Sequence, residues 1–472
     1  MAVKWHPGQW LVRRGRPGRL QWAMTRGGGL GRAARAAVAW AVVSSFRHPG
    51  TVLTDHSFLV PLDHTRPDGD QIEVFAREVV AAGKADRAES LPWLVYLQGG
   101  PGFAAQRPVG RQDWLDRALD DYRVLLLDQR GTGRSSRVTA RSLASLGSAD
   151  KQADYLALFR ADSIVLDAEL IRRELCGDEP WSVLGQSFGG FCAVTYLSFA
   201  PHGVREALIT GGLPGLGAHA DDVYRLTYRK VAARNAAHYE RYPDDVSRAR
   251  DVARYLASHD VRLPDGARLT AEAFQAIGGM LGSSTGSHQL HYLLENPFDG
   301  DGGLADAFLY DIMGRVSFGG APLYCVLHEA CYAQGAATRW SAQRVRAEFP
   351  EFDAAAAVDG DAPLLFTGEM IYPWMVDLDP ALRPLRAAAD LLAERAGWPP
   401  LCDPARLASN EVPAAAAVYY DDMYVPAELS LRTAATIAGL RPWVTNEYQH
   451  DGLRVSAGRV LGRLIAMNRG EV

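Results

Sequence analysis

Hydrophobic residues follow two different patterns along the chain. Between residues 56 and 80 apolar and polar positions alternate around a turn-like Pro-Asp-Gly-Asp, which predicts two antiparallel strands, at 56–62 and 72–80. Short continuous apolar runs follow, and such runs are typical of strands buried on both faces of a parallel sheet. These runs are residues 93–97, 124–127, 181–184 and 207–210.

Helical sequence separates the strands and then replaces them for almost two hundred residues. Residues 153–175 are helical in character, and after residue 217 the chain is largely helical until residue 410. Strands return at 414–420 and 442–445, on either side of a helix at 427–438. We therefore predict an α/β fold whose core comprises residues 48–216 and 412–472. A helical cap, residues 217–411, is inserted between these two parts.

The N-terminal region differs from the rest of the chain. The first fifty residues contain eight arginines and no acidic residue, and residues 33–43 resemble the short apolar region of an export signal. Three interpretations remain: a disordered basic tail, an export signal, or a start codon assigned too early. We predict that residues 1–47 are a disordered or spurious extension outside the fold.

Composition and charge exclude several classes of protein. With 48% hydrophobic and 22% charged residues, the chain has ordinary globular composition. A net charge of -5 without a basic stripe beyond the N-terminus argues against a nucleic-acid partner. No apolar run reaches the roughly 18 residues of a membrane span. The five scattered cysteines indicate reduced thiols in a cytoplasmic protein, with neither a disulfide framework nor a metal site.

The strongest chemical signal is Gly185-Gln186-Ser187-Phe188-Gly189, which lies between a buried strand and a predicted helix. A G-x-S-x-G motif in this context predicts the nucleophile elbow of the α/β-hydrolase fold. The glycines permit a tight turn, and the turn forces the hydroxyl of Ser187 out at the carboxyl end of the sheet. We predict that Ser187 is a catalytic nucleophile.

A serine nucleophile needs a base and an orienting acid, which in this fold follow it in the order acid, then histidine. His450 is the last histidine of the chain and lies just after the final predicted strand. Asp421 and Asp422 both lie where the preceding strand ends, and the residues alone do not separate them. An oxyanion hole also requires backbone N–H groups. We predict that Phe188, after the nucleophile, and Gly100, in the glycine-rich loop 98–102, supply them.

Three motifs together resemble the proline iminopeptidases, serine peptidases of the α/β-hydrolase class that remove N-terminal proline. They are the loop 98–102, the D-Q-R-G-T-G-R-S sequence at 128–135 and the elbow at 185–190, and the resemblance extends from about residue 49 to the C-terminus. It implies that the acid is Asp422, which precedes Pro426 by four residues. Asp128 and Arg130 of the second motif are expected to pair with each other or with nearby backbone.

The resemblance also implies how the substrate is selected. Glu329 and Glu369 match cap glutamates that hold the cationic imino terminus, and their aromatic neighbours Tyr332, Tyr372 and Trp374 either line the proline pocket or form cap core. The expected substrates are short peptides with N-terminal proline, and no cofactor is required. The alternatives are a broader aminopeptidase or carboxylesterase on the same fold, and a catalytically inactive binding module.

Overall fold

The computed structural model describes residues 39–472, which contain nine strands in one sheet. The strands are β1 Ala39–His48, β2 Thr51–Pro61, β3 Gln71–Ala81, β4 Trp93–Leu97, β5 Arg123–Asp128, β6 Trp181–Gln186, β7 Val204–Thr210, β8 Ala414–Tyr419 and β9 Leu440–Thr445. Their order across the sheet is β1-β2-β3-β5-β4-β6-β7-β8-β9. Strands β1, β2 and β3 run antiparallel to their neighbours, and all pairs from β5 to β9 are parallel. The predicted antiparallel opening and parallel sheet are confirmed.

Helices cover both faces of the sheet. Those outside the cap are α1 Asp113–Ala118, α2 Ala140–Ala144, α3 Ala149–Leu156, α4 Ala161–Cys176, α5 Phe188–Phe199, α17 Ala427–Thr436, α18 Gly452–Val455 and α19 Arg459–Arg469. In β4, Val95 and Leu97 belong to the apolar cluster that includes α4 and α5. Leu94 and Tyr96 belong to the cluster on the opposite face, with α1 and α19. Because alternate residues enter two cores, the strand is apolar at every position.

The cap fills the interval between β7 and β8. Its helices are α6 Ala220–Arg241, α7 Asp245–Ser258, α8 Ala271–Gln275, α9 Gly286–Leu294, α10 Asp306–Val316, α11 Pro322–Leu327, α12 Ser341–Arg346, α13 Ala354–Asp359, α14 Pro373–Leu378, α15 Arg386–Glu394 and α16 Pro404–Leu407. Residues 211–413, all of which the structure describes, add no strand to the sheet. The apolar cluster of the cap also takes in side chains of α2 and α3.

Two local features differ from the sequence prediction. The fold begins before residue 48, because β1 pairs with β2 along its whole length. The assignment of residues 39–47 to an extension is therefore wrong, and residues 1–38 lie outside the described range. The predicted helix at 153–175 is divided, since Arg160 has extended backbone (φ -86°, ψ 179°) between α3 and α4.

Within residues 39–472, no helix combines the length and the apolar character needed to cross a bilayer.

Candidate active site

Ser187 occupies a sharp turn between β6 and α5. Its backbone has φ 56° and ψ -125°, a conformation that residues other than glycine rarely adopt. Hydrogen bonds from Ser187 N to the Thr210 carbonyl (3.0 Å) and from Gly190 N to the Ser187 carbonyl (2.7 Å) hold the turn. The strained backbone aims the side chain away from the strand, which is the geometry expected of a nucleophile elbow.

The glycines around Ser187 are required by close backbone packing. A Cβ on Gly189 would lie 1.9 Å from the Leu97 carbonyl oxygen, and one on Gly190 would lie 2.5 Å from the Gly212 carbonyl oxygen. Any side chain at these positions would push the first turn of α5 away from β4 and β7. The motif therefore fixes where the helix begins, and with it the position of Ser187.

His450 and Asp422 form a hydrogen-bonded pair at the carboxyl ends of the last strands. His450 Nδ1 lies 2.6 Å from Asp422 Oδ2, and Asp422 is only 1% exposed. The other carboxylate oxygen of Asp422 accepts hydrogen bonds from the amides of Tyr424 (2.8 Å) and Val425 (3.0 Å). Both carboxylate oxygens of Asp422 are thus hydrogen-bonded, and Asp422 rather than Asp421 contacts the histidine.

The environment of His450 raises its affinity for a proton. Burial alone would lower the pKa of His450, but the adjacent Asp422 carboxylate and, more weakly, that of Glu369 raise it above the usual value of 6.5. The ring of Tyr424 packs edge-on against the imidazole, with centroids 4.7 Å apart. Within the described part of the chain the Ser187 hydroxyl has no hydrogen-bond partner, and such contacts often form only when substrate binds.

The loop that follows β4 lies directly beside Ser187. A Cβ on Gly99 would be 3.0 Å from the Ser187 Cβ, so the backbone of the loop approaches the nucleophile closely. The amides of Gly100 and Phe188 donate no hydrogen bond to any residue from 39 to 472. Both predicted oxyanion donors are therefore unoccupied by protein acceptors.

The D-Q-R-G-T-G-R-S motif holds this loop in place. Asp128 accepts hydrogen bonds from the amides of Ala105 (3.1 Å) and Arg134 (2.9 Å), and Gln129 Nε2 donates to the Gln98 carbonyl (3.0 Å). Of the two expected arrangements of Asp128 and Arg130, bonding to nearby backbone is observed, and pairing with each other is absent among the described contacts.

Arg130 serves the core instead. It bonds to Asp167 (Nε to Oδ2, 2.7 Å) and to backbone carbonyls that include those of Leu62 and Leu158. Asp128 pairs with Arg107. The role of the motif is therefore structural.

Glu369 lines a cavity of about 300 Å³. Its Oε1 accepts a hydrogen bond from Tyr324 Oη at 2.7 Å. The lining is mainly apolar, with Met370 and Trp374 among its side chains, and it also includes the charged residues Asp265, Arg268, Arg315 and Asp379. Tyr424, whose ring packs on His450, completes the wall and places the cavity next to the histidine. A carboxylate in a mainly apolar cavity beside a base can hold a small cationic group with an apolar ring.

Glu329 does not share this cavity. Its two carboxylate oxygens accept hydrogen bonds from the amides of Ser341 (3.0 Å) and Ala342 (2.9 Å), the first two residues of α12. Trp340, at the N-cap position, offers that helix no side-chain acceptor, and Glu329 replaces it. Burial raises the pKa of the Glu329 carboxyl, and the hydrogen bonds from the backbone amides offset only part of this rise. Glu329 therefore caps α12 outside the cavity of Glu369, an arrangement that argues against its expected role in holding the substrate amine.

The predicted aromatic residues divide between pocket and core. Trp374 lines the cavity, whereas Tyr372 is fully buried and hydrogen-bonded to Tyr228 (2.8 Å between hydroxyls). Tyr332 packs against the Phe191 and Tyr224 rings, away from the cavity lining. Tyr324 in the cavity wall could not be predicted from the sequence, because no motif marks it. Tyr424 lies two positions after the predicted acid, and that position was the one signal that could have indicated it.

The chain is similar in sequence to known proteins. Residues 92–300 match the family model described as alpha/beta hydrolase fold. A proline iminopeptidase of Aeromonas sobria is 50% identical over 415 residues, which cover 88% of this chain and 96% of the relative. A proline iminopeptidase of Aspergillus aculeatus is 37% identical over 446 residues, covering 91% and 97%. A proline iminopeptidase-related protein of Thermus thermophilus has a solved structure that is 14% identical, with a TM-score of 0.37. The match covers 87% of this chain and 95% of that one, and a likeness this low carries no inference.

Proposed function

The chain belongs to the proline iminopeptidase family of α/β-hydrolases, and from this we propose that it releases N-terminal proline from peptides through a Ser187–His450–Asp422 triad. The observation that carries the proposal is the Glu369 carboxylate in an apolar cavity next to the His450–Asp422 pair. An esterase has no use for an anion at this place, whereas an enzyme that selects a free imino terminus does.

In the proposed reaction, His450 removes the proton of Ser187 while Asp422 holds the imidazole by its Nδ1. Ser187 attacks the carbonyl carbon of the first residue, and the amides of Gly100 and Phe188 stabilise the tetrahedral oxyanion. The C–N bond breaks, His450 protonates the leaving amine, and a prolyl ester on Ser187 remains. Water, deprotonated by His450, then releases proline. Protein groups and water supply every step.

The proposed binding mode places the proline ring in the cavity and its ammonium at Glu369. The apolar wall, which includes Met370 and Trp374, suits a pyrrolidine ring, and among residues 39–472 the Glu369 carboxylate is paired only with the neutral hydroxyl of Tyr324. An acetylated or internal proline would leave the carboxylate without a cation, at a cost in binding.

We also propose a cytoplasmic location, which the five unpaired thiols support.

The test compares four substrates: proline p-nitroanilide, its N-acetylated form, alanine p-nitroanilide and p-nitrophenyl acetate. We expect rapid turnover of the free proline compound alone, and none by the Ser187→Ala variant. If the ester dominates and acetylation of proline has no effect, the enzyme is an esterase. If alanine p-nitroanilide is cleaved as well as the proline compound, it is a broader aminopeptidase.

A further inference from the structure

A short segment of the cap crosses both loops that carry the predicted acid and base. We call residues 279–284 the strap. The amide of His450 donates to the Gly282 carbonyl (3.2 Å), and the hydroxyl of Tyr424 donates to the Gly279 carbonyl. A Cβ on Gly282 would lie 2.2 Å from the Tyr424 ring, so this approach depends on glycine. The backbone of the strap therefore contacts the loop of the base and the loop of the acid.

Ser284 adds a side-chain link to the loop of the base. Its hydroxyl donates to Asp451 Oδ1 at 2.7 Å, and its amide lies 3.1 Å from both carboxylate oxygens. Asp451 directly follows His450 and directly precedes α18, where an aspartate usually caps its own helix. It makes no such cap here, because its carboxylate is turned towards Ser284.

The strap is itself anchored inside the cap. Arg234 of α6 donates from Nε (3.1 Å) and Nη2 (3.0 Å) to the Leu281 carbonyl. The link from α6 to the His450 loop thus runs through hydrogen bonds at Leu281, Gly282 and Ser284. A strap held on both sides can transmit the position of the cap to the histidine loop.

We propose that Ser284 and Asp451 are positioning residues. Their hydrogen bond attaches the His450 loop to the cap and so holds His450 in the position needed for catalysis. This inference rests on the proposed triad. Two consecutive residues of the loop, His450 and Asp451, each form a hydrogen bond with the strap. Displacement of a catalytic group by a fraction of an ångström slows the chemical step while leaving the binding pocket intact.

The experiment measures kcat, KM and the rate of Ser187 labelling by a fluorophosphonate probe in the full-length protein. For Ser284→Ala we expect kcat and the labelling rate to fall about tenfold, with KM within about twofold of the wild type. Ser284→Thr keeps the hydroxyl and should restore both rates. Asp451→Asn keeps one carbonyl acceptor and should lie between the two.

The matched control is Thr65→Ala. Thr65 also donates its amide (2.9 Å) and hydroxyl (2.6 Å) to one aspartate, Asp63, but in the turn between β2 and β3. Thr65→Ala should leave both rates unchanged. A Ser284→Ala protein with wild-type rates, or a folded Ser284→Thr protein as slow as Ser284→Ala, would overturn the proposal. Should Ser284→Ala not fold, the proposal requires that Asp451→Asn be slower than the wild type and that Ser284→Thr not be. Wild-type rates in Asp451→Asn would then overturn it.

The labelling rate separates this inference from the proposed function. If the wild type labels rapidly but does not cleave proline p-nitroanilide, the proline assignment fails and the labelling rates still test the strap. If Ser187 does not label at all, the triad fails and the inference fails with it.

Discussion

Glu329 and Glu369 are the same residue type in the same cap, yet their surroundings differ. Glu329 is 6% exposed and its carboxylate receives two backbone N–H groups, so a cation would have to displace hydrogen bonds that the helix needs. Glu369 receives one neutral hydroxyl and faces an apolar cavity. A carboxylate with free lone pairs in an apolar site binds a cation strongly.

We expect Glu369→Gln to raise KM for proline p-nitroanilide about 10- to 100-fold, because a charge-assisted hydrogen bond to the imino group is lost. It should also move the acidic limb of the kcat/KM profile to lower pH. The Glu369 charge helps to raise the pKa of His450, against the effects of burial and Arg454, and the base acts only when neutral. Steady-state kinetics from pH 5 to 9 would measure both. An unchanged KM would remove Glu369 from substrate binding.

Glu329→Ala should weaken the fold rather than the binding of substrate. The substitution leaves two buried amides at the start of α12 unpaired, which costs about 1–3 kcal/mol for each amide in the free energy of unfolding. Urea denaturation would measure this loss, and KM should stay constant. Glu329→Gln, which keeps one acceptor oxygen, is the matched control and should lose less. A large rise in KM without loss of stability would return Glu329 to the amine site.

At the scale of elements, the elbow depends on how closely α5 approaches β4. We expect Gly189→Ala to destabilise the protein by about 3 kcal/mol or more, since the new methyl group would meet the Leu97 carbonyl oxygen and no rotamer relieves a backbone clash. Denaturation of the purified variant would show it.

Gly314→Ala is the control for that substitution. Gly314 lies within α10, and a Cβ there has no heavy atom within 4 Å. The same change should therefore stabilise the protein, by about 0.5–1 kcal/mol, because alanine favours the helix. Equal destabilisation by both substitutions would show that the clash at Gly189 is relieved.

Elements with strong local signals could be predicted from the sequence, and elements defined by distant contacts could not. The buried runs and the elbow carry their pattern within a few residues, so β4 to β8 and the start of α5 were predicted correctly. Strand β1 was missed because its edge position leaves much of it exposed, including Val42 and Val43 at just over 50%. The contact of Glu329 with α12 was missed because that helix begins twelve residues later, at Ser341, after a tryptophan that predicts no helix start.

At the scale of the whole molecule, Arg160 joins the cap to the core. It lies at the break before α4, is 2% exposed, and donates to the carbonyls of Ala333 (2.9 Å) and Pro399 (2.8 Å), while its guanidinium stacks on Trp398. The extended backbone that divides the predicted helix thus places this side chain between the two parts. The α/β architecture and the inserted cap were predictable from the order of elements, but this connection was not.

We expect Arg160→Met to loosen the cap locally. The apolar side chain fills most of the space but leaves two carbonyls unpaired, at about 1–3 kcal/mol for each buried group. Limited proteolysis should then cut within the cap sooner than in the wild type, with the core fragments resistant. Arg225→Met removes an exposed ion pair with Glu348 within the cap and should leave the cleavage rate unchanged. Cleavage of core and cap at the same rate would indicate global unfolding instead.

The insertion between β7 and β8 also sets the order in which the protein is made. Ser187 leaves the ribosome early, but Asp422 and His450 follow only 235 and 263 residues later, which at roughly 5–20 residues per second takes about 10–50 s. During that time the edge of β7 that will pair with β8 is open to other nascent chains or to a chaperone. Ribosome-bound chains arrested at residue 413 should therefore not react with a fluorophosphonate probe, so that peptidase activity begins only once nearly the whole chain has been synthesised.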